Sequence, residues 1–379
     1  MIFLIPDFNT LATTTDMGVP LSDALTCSVH EVRNGQFSLT LTYPISGVYS
    51  EEIVPNAIIM AVPRPNANKE PFRIYEVDRT LQGIITARAN HIAYELDGSI
   101  VWGMTQTGIN NVLTRLNQLC PNHFEIVNDG ITDIGEEFNV IVPITLWNAI
   151  GGSNSLLSHF GGELEYAWDD YYKKCVITIH SVRGSAFKNT IIRYGINIVS
   201  LNRKQSVSEM YSNVMAFWSD GQNVANNVWS NDTSTGITAV SRYLILDCSK
   251  DYQTAPTQAD LDAVVTRYIS EHTFTAHNDL SVEYIPLEDT TDYSPISGAI
   301  VGEAIVGTDV VGDIHHGMNI DPLYLCDTVY VDASVVGVSA TAKCVEVIYD
   351  VLAERYSKVT IGTIQQSIID TVDKLTRSI

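Results

Sequence analysis

Residues 24–44 read ALTCSVHEVRNGQFSLTLTYP, and their patterning decides the fold class. Val29, Val32, Phe37, Leu39, Leu41 and Tyr43 are apolar, and from Phe37 to Tyr43 they alternate strictly with polar residues. Successive side chains of a strand point to opposite faces, so period-2 alternation describes a strand buried on one side. Asn34-Gly35 separates the two apolar runs, and both residues tolerate the positive φ of a tight hairpin turn. Pro44 ends the second run because it has no N–H for a ladder. The stretch is a hairpin with one buried face, and an isolated hairpin is only marginally stable in water. Further strands must cover it.

Residues 72–97, FRIYEVDRTLQGIITARANHIAYELD, supply them: Phe72, Ile74, Tyr75 and Val77 form one β-rich run, Gly83 breaks it, and residues 84–89 form another. The combination of Glu31, Asn34, Gly35, Phe37, Leu39, Tyr43 and Pro44 with Phe72, Arg73, Ile74, Tyr75, Val77 and then Ala89, His91, Ile92, Tyr94 and Leu96 resembles the opening of the phage tail hub family. That family includes the tail-associated lysins (prophage endopeptidase tail proteins) of long-tailed phages. The resemblance continues in LLSHFGGELEY with Gly161 and Gly162, in Arg183-Gly184, and in IRYGIN with Tyr194 and Gly195. It resumes in LCDTVYVD, where Cys326 stands at the family's turn glycine, and in the final hairpin at residues 344–362.

The chain of 379 residues is long enough for two or more cores. With 45% hydrophobic and 17% charged residues its composition is globular. The longest apolar runs, such as residues 58–62, fall far short of a membrane span. Residues 1–6, MIFLIP, lack a basic n-region and read as a first strand, so no signal peptide is expected and synthesis is expected in the host cytoplasm. Cys27, Cys120, Cys175, Cys248, Cys326 and Cys344 show no metal spacing, and buried thiols are expected. Forty-four acids against 22 bases give −22, which argues against a Lys/Arg grip on nucleic acid.

Residues 99–198 change character. Residues 107–119 place Ile109, Val112, Leu113, Leu116 and Leu119 on one helical face, with Pro121 beyond the stop. Residues 145–160 form two short helical pieces broken at Gly151-Gly152, and residues 163–168 and 174–180 alternate as strands around Asp169-Asp170. Residues 199–247 return to strands, with 219–235 expected as a long surface loop. Residues 257–272 form an amphipathic helix with Thr257 as N-cap, and 281–287 a strand. In residues 294–318, Gly302, Gly307, Gly312 and Gly317 recur every five residues, which fits a glycine-hinged loop or a pair of short strands. Residues 364–375 carry a final helical pattern.

Asp309, Asp313, His315 and His316 are the one cluster with metal-ligand chemistry, but adjacent histidines on a glycine-hinged loop suit a metal poorly, and neither metal nor cofactor is expected. The acid pairs Glu51-Glu52, Glu136-Glu137 and Asp169-Asp170 fit solvated turns and edges better than a catalytic dyad. No nucleophile motif is tied to His91, which reads as structural, and no enzyme fingerprint is present.

By pattern the chain is mainly β with α+β insertions. The resemblance implies two related β-barrel hub domains plus smaller α+β lobes: a barrel at 1–98, an inserted lobe at 99–190, a discontinuous barrel at 191–248 and 322–362, a helix-plus-strand lobe at 249–321, and a C-terminal helix at 363–379. It further implies a homotrimeric ring at the virion tail tip that adapts sixfold to threefold symmetry. Its partners there are the distal tail protein, the tape measure protein and tail-tip or receptor-binding proteins, with possible contact to the host cell envelope. The resemblance also implies that the ring gates or lines the DNA exit channel, with phage DNA passing through without specific binding. The alternatives are the hub portion of a cell-wall-degrading lysin and a host-glycan receptor module using Trp218, Trp229, Tyr171 and Tyr172.

Overall fold

The fold is seen in a computed structural model that describes residues 2–362 other than 14–17, 134, 153–154, 187, 189–190, 194–197, 207–210, 220–222, 231–241, 250, 253, 272–276, 285–303, 307–308, 312–322 and 334–337. The hairpin is its centre. Thr26–Val32 pairs antiparallel with Phe37–Pro44, with Glu31 opposite Phe37. Phe37, Leu39, Leu41 and Tyr43 are all buried, as the alternation requires. The turn differs from a two-residue hairpin: three residues separate Val32 from Gln36, the Val32 N–H donates to Gln36 O at 2.7 Å, and only Asn34 takes positive φ, at 52°.

Phe37–Pro44 pairs with Ile84–His91, which pairs with Glu70–Arg79, then Ile58–Ala61 and Phe3–Ile5 follow. A bulge between Ile74 and Glu76 leaves Tyr75 facing solvent. On the other side Thr26–Val32 pairs with Val338–Asp350, so strands from the far end of the chain extend the first sheet. Val338–Asp350 pairs along its first half with Thr328–Ala333 and along its second with Arg355–Ile361. The result is a mixed α+β fold dominated by antiparallel sheet, and among the described residues eleven strands form one continuous sheet with no closed barrel. The 13-residue Val338–Asp350 is the strand that joins the N-terminal and C-terminal parts of this sheet.

The segment after this sheet folds as the sequence predicts. Ile109–Asn117 is a helix burying Ile109, Val112, Leu113 and Leu116. Leu146–Gly151 and Leu156–Phe160 are separate helices, capped by Thr145 and by a reciprocal Ser155–Ser158 box. Lys174–His180 lies between Glu163–Asp169, antiparallel, and Phe124–Asp129, parallel. These elements share one apolar core with the large sheet. Aromatic rings stitch the two together: Tyr94 stacks on Trp147 at 4.3 Å, and Phe37 lies 6.0 Å from Tyr166.

A second, smaller core contains Val214, Ala216, Trp218, Cys248, Leu261 and Val265. Asn213–Ser219 is the central strand there, flanked by Asn223–Ala225, Trp229–Ser230 and Tyr243–Asp247. The expected surface loop at 219–235 therefore contains two short strands, held by the ladder of Asn213–Ser219 rather than by any alternation of their own. Helix Gln258–Glu271 covers the sheet, its Thr257 and Asp260 capping each other. Ile198–Ser206 pairs with His277–Tyr284, and in the glycine-repeat stretch Ala304–Val306 pairs with Asp309–Val311. Tyr194, Gly195, Asp313, His315, His316 and the helix expected at 364–375 lie outside the described residues. No helix among the described residues is long and apolar enough to cross a membrane.

Candidate functional site

The motif residues of the hairpin meet the inserted elements at one place. The Asn34 amide spans the gap: its Nδ2–H donates to Gly162 O at 3.0 Å and its Oδ1 accepts the Leu164 N–H at 2.8 Å. Gly162 has φ of 108°, and a Cβ there would lie 2.8 Å from His180 O, so only glycine fits. The Tyr94 hydroxyl accepts the Phe37 N–H at 3.0 Å and donates to Gly35 O at 3.3 Å, bracing the turn from below. His91 stacks on Phe37 at 4.7 Å. Its Nδ1 accepts the Ala93 N–H at 3.3 Å, which leaves Nε2–H to donate to Glu70 Oε2 at 3.1 Å. The same Glu70 oxygen accepts the Trp168 N–H at 2.8 Å.

Beside this lies a chain of buried charges. Glu31 shares the inward face of its strand with Cys27 and Val29, and its Oε1 accepts Arg183 Nη2–H at 2.7 Å. Arg183 also donates from Nη1 to Leu164 O at 2.7 Å, while its N–H donates to Glu163 at 2.7 Å. Glu163 binds Lys343 and Arg33, each at 2.7 Å, and Arg64 reaches Glu165 at 2.7 Å. His180 places Nδ1 2.7 Å from Asp129 and Nε2 3.1 Å from Glu165. Burial alone would raise the Glu31 carboxyl, but Arg183 and Arg64 outweigh it and hold it below its ordinary value. Burial likewise works against the Arg183 charge, and Glu31 and Glu165 reverse that, raising it. Gly184 follows at φ of 81°, where a Cβ would lie 2.7 Å from the Cys326 backbone. Cys326 itself holds φ of 71°, a left-handed backbone that residues other than glycine seldom adopt.

The chain of charges opens into a cleft of about 500 Å³ lined by Arg64, Glu165, Trp168, His180, Arg183 and Tyr324 among others. Its carboxylates are already engaged: Glu165 by Arg64 and His180, Glu70 by His91 and Trp168, and Asp327 by the Ser185 and Tyr324 N–H groups. The arrangement locks the inserted elements onto the sheet. The thiols have little nucleophilic character, because burial pushes Cys120 and Cys326 up to about 12 and Cys248 to about 11. All six cysteines are unpaired. Among the described residues no group of three or more His, Cys, Asp and Glu is placed to hold a metal ion.

Of the motif residues, Asn34, Gly35, His91, Tyr94, Gly161 and Gly162 gather around the turn and its dock. Phe72 packs edge-on against Phe37 at 5.2 Å. Tyr43, which donates to Val48 O, and Pro44 lie at the far end of the strand, where Pro44 sits opposite Ile84. Of the aromatics considered for glycan binding, Trp218 is core and Trp229 packs against it, while Tyr171 and Tyr172 are 86% and 68% exposed at a hairpin tip. Glu51 and Glu52 form an exposed turn, and Asp169 caps the Tyr171 and Tyr172 N–H groups. Glu136 is not solvated as expected: it binds Arg267 and His159, each at 3.1 Å. The sequence reading did not single out Arg64, Glu163, Glu165 or His180. The one available signal was Glu31, a charge on the apolar face of an alternating strand.

No protein-family profile and no curated protein sequence matches the chain. Solved structures do. The prophage tail protein gp18 of Listeria monocytogenes EGD-e is similar with a TM-score of 0.55 at 12% identity, over 99% of this chain and 98% of that one. A tail protein of Neisseria meningitidis MC58 gives 0.53 at 11% identity, over 89% and 91%. The 43 kDa tail protein of prophage MuSo2 from Shewanella oneidensis gives 0.51 at 11% identity, over 89% and 94%. The chain thus has the fold of phage tail proteins.

Proposed function

We propose that the chain is a structural subunit of a phage tail tip: a baseplate hub protein that assembles as a trimeric ring, adapts sixfold to threefold symmetry and lines the DNA exit channel. The observation that carries this reading is the fold match over nearly the whole of both chains to a prophage tail protein. A cleft whose carboxylates are all engaged in internal contacts supports a structural rather than catalytic role. In this reading the two hub domains are 1–98 and the discontinuous 191–248 and 322–362, except that strands 213–247 pack with helix Gln258–Glu271 around their own small core and form a separate lobe. Segment 99–190 is the other lobe. The partners are two further copies, the distal tail and tape measure proteins, and tail-tip or receptor-binding proteins.

Three chains at −22 each bring −66 to the ring. A channel must pass duplex DNA without holding it, and each Lys or Arg paired with a phosphate adds affinity. Carboxylates facing the lumen repel the duplex over roughly 8–10 Å at physiological salt. The oligomeric part of the proposal is tested by native mass measurement on the purified protein. A species of three times the 41.8 kDa chain mass is expected, and a monomer at every concentration overturns it.

A further inference from the structure

Residues 98–114 and 138–158 contain no Asp, Glu, Lys or Arg, in a chain whose residues are 17% charged. The two segments pair twice: Ile100–Val101 with Ile144–Thr145, and Met104–Thr107 with Glu137–Val140, where Glu137 lies at the far end opposite Thr107. Between these ladders Trp102-Gly103 lies beside 141–143. Val101 and Met104 are buried, whereas Trp102 is 71% exposed and Ile100, Val142 and Pro143 are exposed with it. Gly103 turns the backbone at φ of 58°, and a Cβ on it would meet no atom within 4 Å, so the space around it is open. Other exposed apolar residues stand among charges: Leu81 follows Asp78 and Arg79, and Tyr171 and Tyr172 lie between Asp170 and Lys173. Here Asp97 stands only at the margin.

What such a ridge fits follows from the charge of the rest of the chain. A foreign partner matched by charge is basic and is drawn to the 44 acids. Two copies at −22 repel wherever their acids meet, so a close contact between them needs a surface without charge on at least one side. Interfaces between identical subunits have apolar cores poor in charge, and tryptophan is prominent among the side chains that carry binding energy.

We propose that the Ile100–Trp102–Val142–Pro143 ridge is the surface by which one copy of this chain packs onto the next. This rests on the trimeric ring proposed above and names the contact that builds it. A closed ring of three uses a head-to-tail contact, so the ridge seats on a different part of the neighbouring copy. Water leaves the indole and its aliphatic neighbours on contact, and the ridge brings no carboxylate that must be desolvated.

The exposed indole also reports the contact. Trp147, Trp168 and Trp218 are buried and Trp229 packs against the smaller core, so acrylamide quenching of indole fluorescence reads chiefly Trp102. The test follows native mass and quenching across a dilution series of the full chain, in wild type, Trp102→Gln and Val142→Glu. Both substitutions change exposed side chains, and circular dichroism checks that the fold is kept. Wild type is expected at three times the 41.8 kDa chain mass with Trp102 shielded, and dilution to the monomer is expected to expose it. Each variant is expected to need a concentration at least about tenfold higher to assemble. A wild-type trimer whose indole is readily quenched, or folded variants that assemble at the wild-type concentration, overturns the ridge and leaves the ring standing. A wild type that is monomeric at every concentration overturns both. If a variant misfolds, the quenching of the wild-type trimer decides.

Discussion

The body and the 213–271 lobe are held together by opposite means. In the body, the large sheet and the inserted elements share one apolar core, and the seam is sealed by Asn34, Tyr94 and the chain from Glu31 to Glu163. Among the described residues the lobe has a core of six buried apolar side chains, and it meets the body where Arg267 reaches Glu136. A seam with a continuous apolar core moves as one piece, whereas a seam made of charges responds to its surroundings.

Four changes break or sharpen the contrast. The largest effect belongs to Arg183→Met, which leaves the buried Glu31 carboxylate without its hydrogen-bonded cation and with only Arg64, at 3.7 Å, beside it. A cost of about 3–5 kcal/mol is expected, read as loss of the main unfolding transition or of soluble protein. Next is Leu261→Ala in the small core, costing about 2–5 kcal/mol. It should unfold the lobe alone, so calorimetry is expected to lose one transition and keep the body's; a single joint loss would show that the two cores are not independent.

Smaller is the turn. Asn34→Val forces a β-branched residue into positive φ and removes both amide bonds, for about 3 kcal/mol. Asn34→Gly keeps the backbone and loses only the bonds, for about 1–2 kcal/mol. Chemical denaturation separates the pair: equal costs would show that backbone strain contributes nothing, and a costless Asn34→Gly would assign the residue a purely backbone role. The smallest effect appears only in acid. The Glu346 carboxyl is held down to about 2 by hydrogen bonds from His30, then Thr360 and Lys358, against burial. Its contribution is present above 4.5 and lost as pH falls toward about 2. Denaturation curves should therefore fall more steeply with acid in wild type than in Glu346→Gln.

What was legible in the sequence is what is local. Phe37 to Tyr43 announced their buried face by alternation and Thr257 its helix start by capping chemistry, whereas the Ser155 cap and the left-handed backbone of Cys326 were not anticipated. The seam is non-local. Arg64 and Glu165 are 101 residues apart, Arg183 and Glu31 152, and Lys343 and Glu163 180. No period or motif links such partners; only the fold does. The ladder from Val338–Asp350 to Thr26–Val32, which makes one continuous sheet of the two ends of the chain, was hidden for the same reason. Glu136 looked like one of two neighbouring surface acids until helix Gln258–Glu271 brought Arg267 to it.

The most direct test of the proposed role is a three-dimensional reconstruction of the purified assembly at side-chain resolution. The account predicts a threefold ring around a central opening whose wall carries clearly more Asp and Glu than Lys and Arg. A single copy without a ring, or a ring whose opening is neutral or basic, would contradict it.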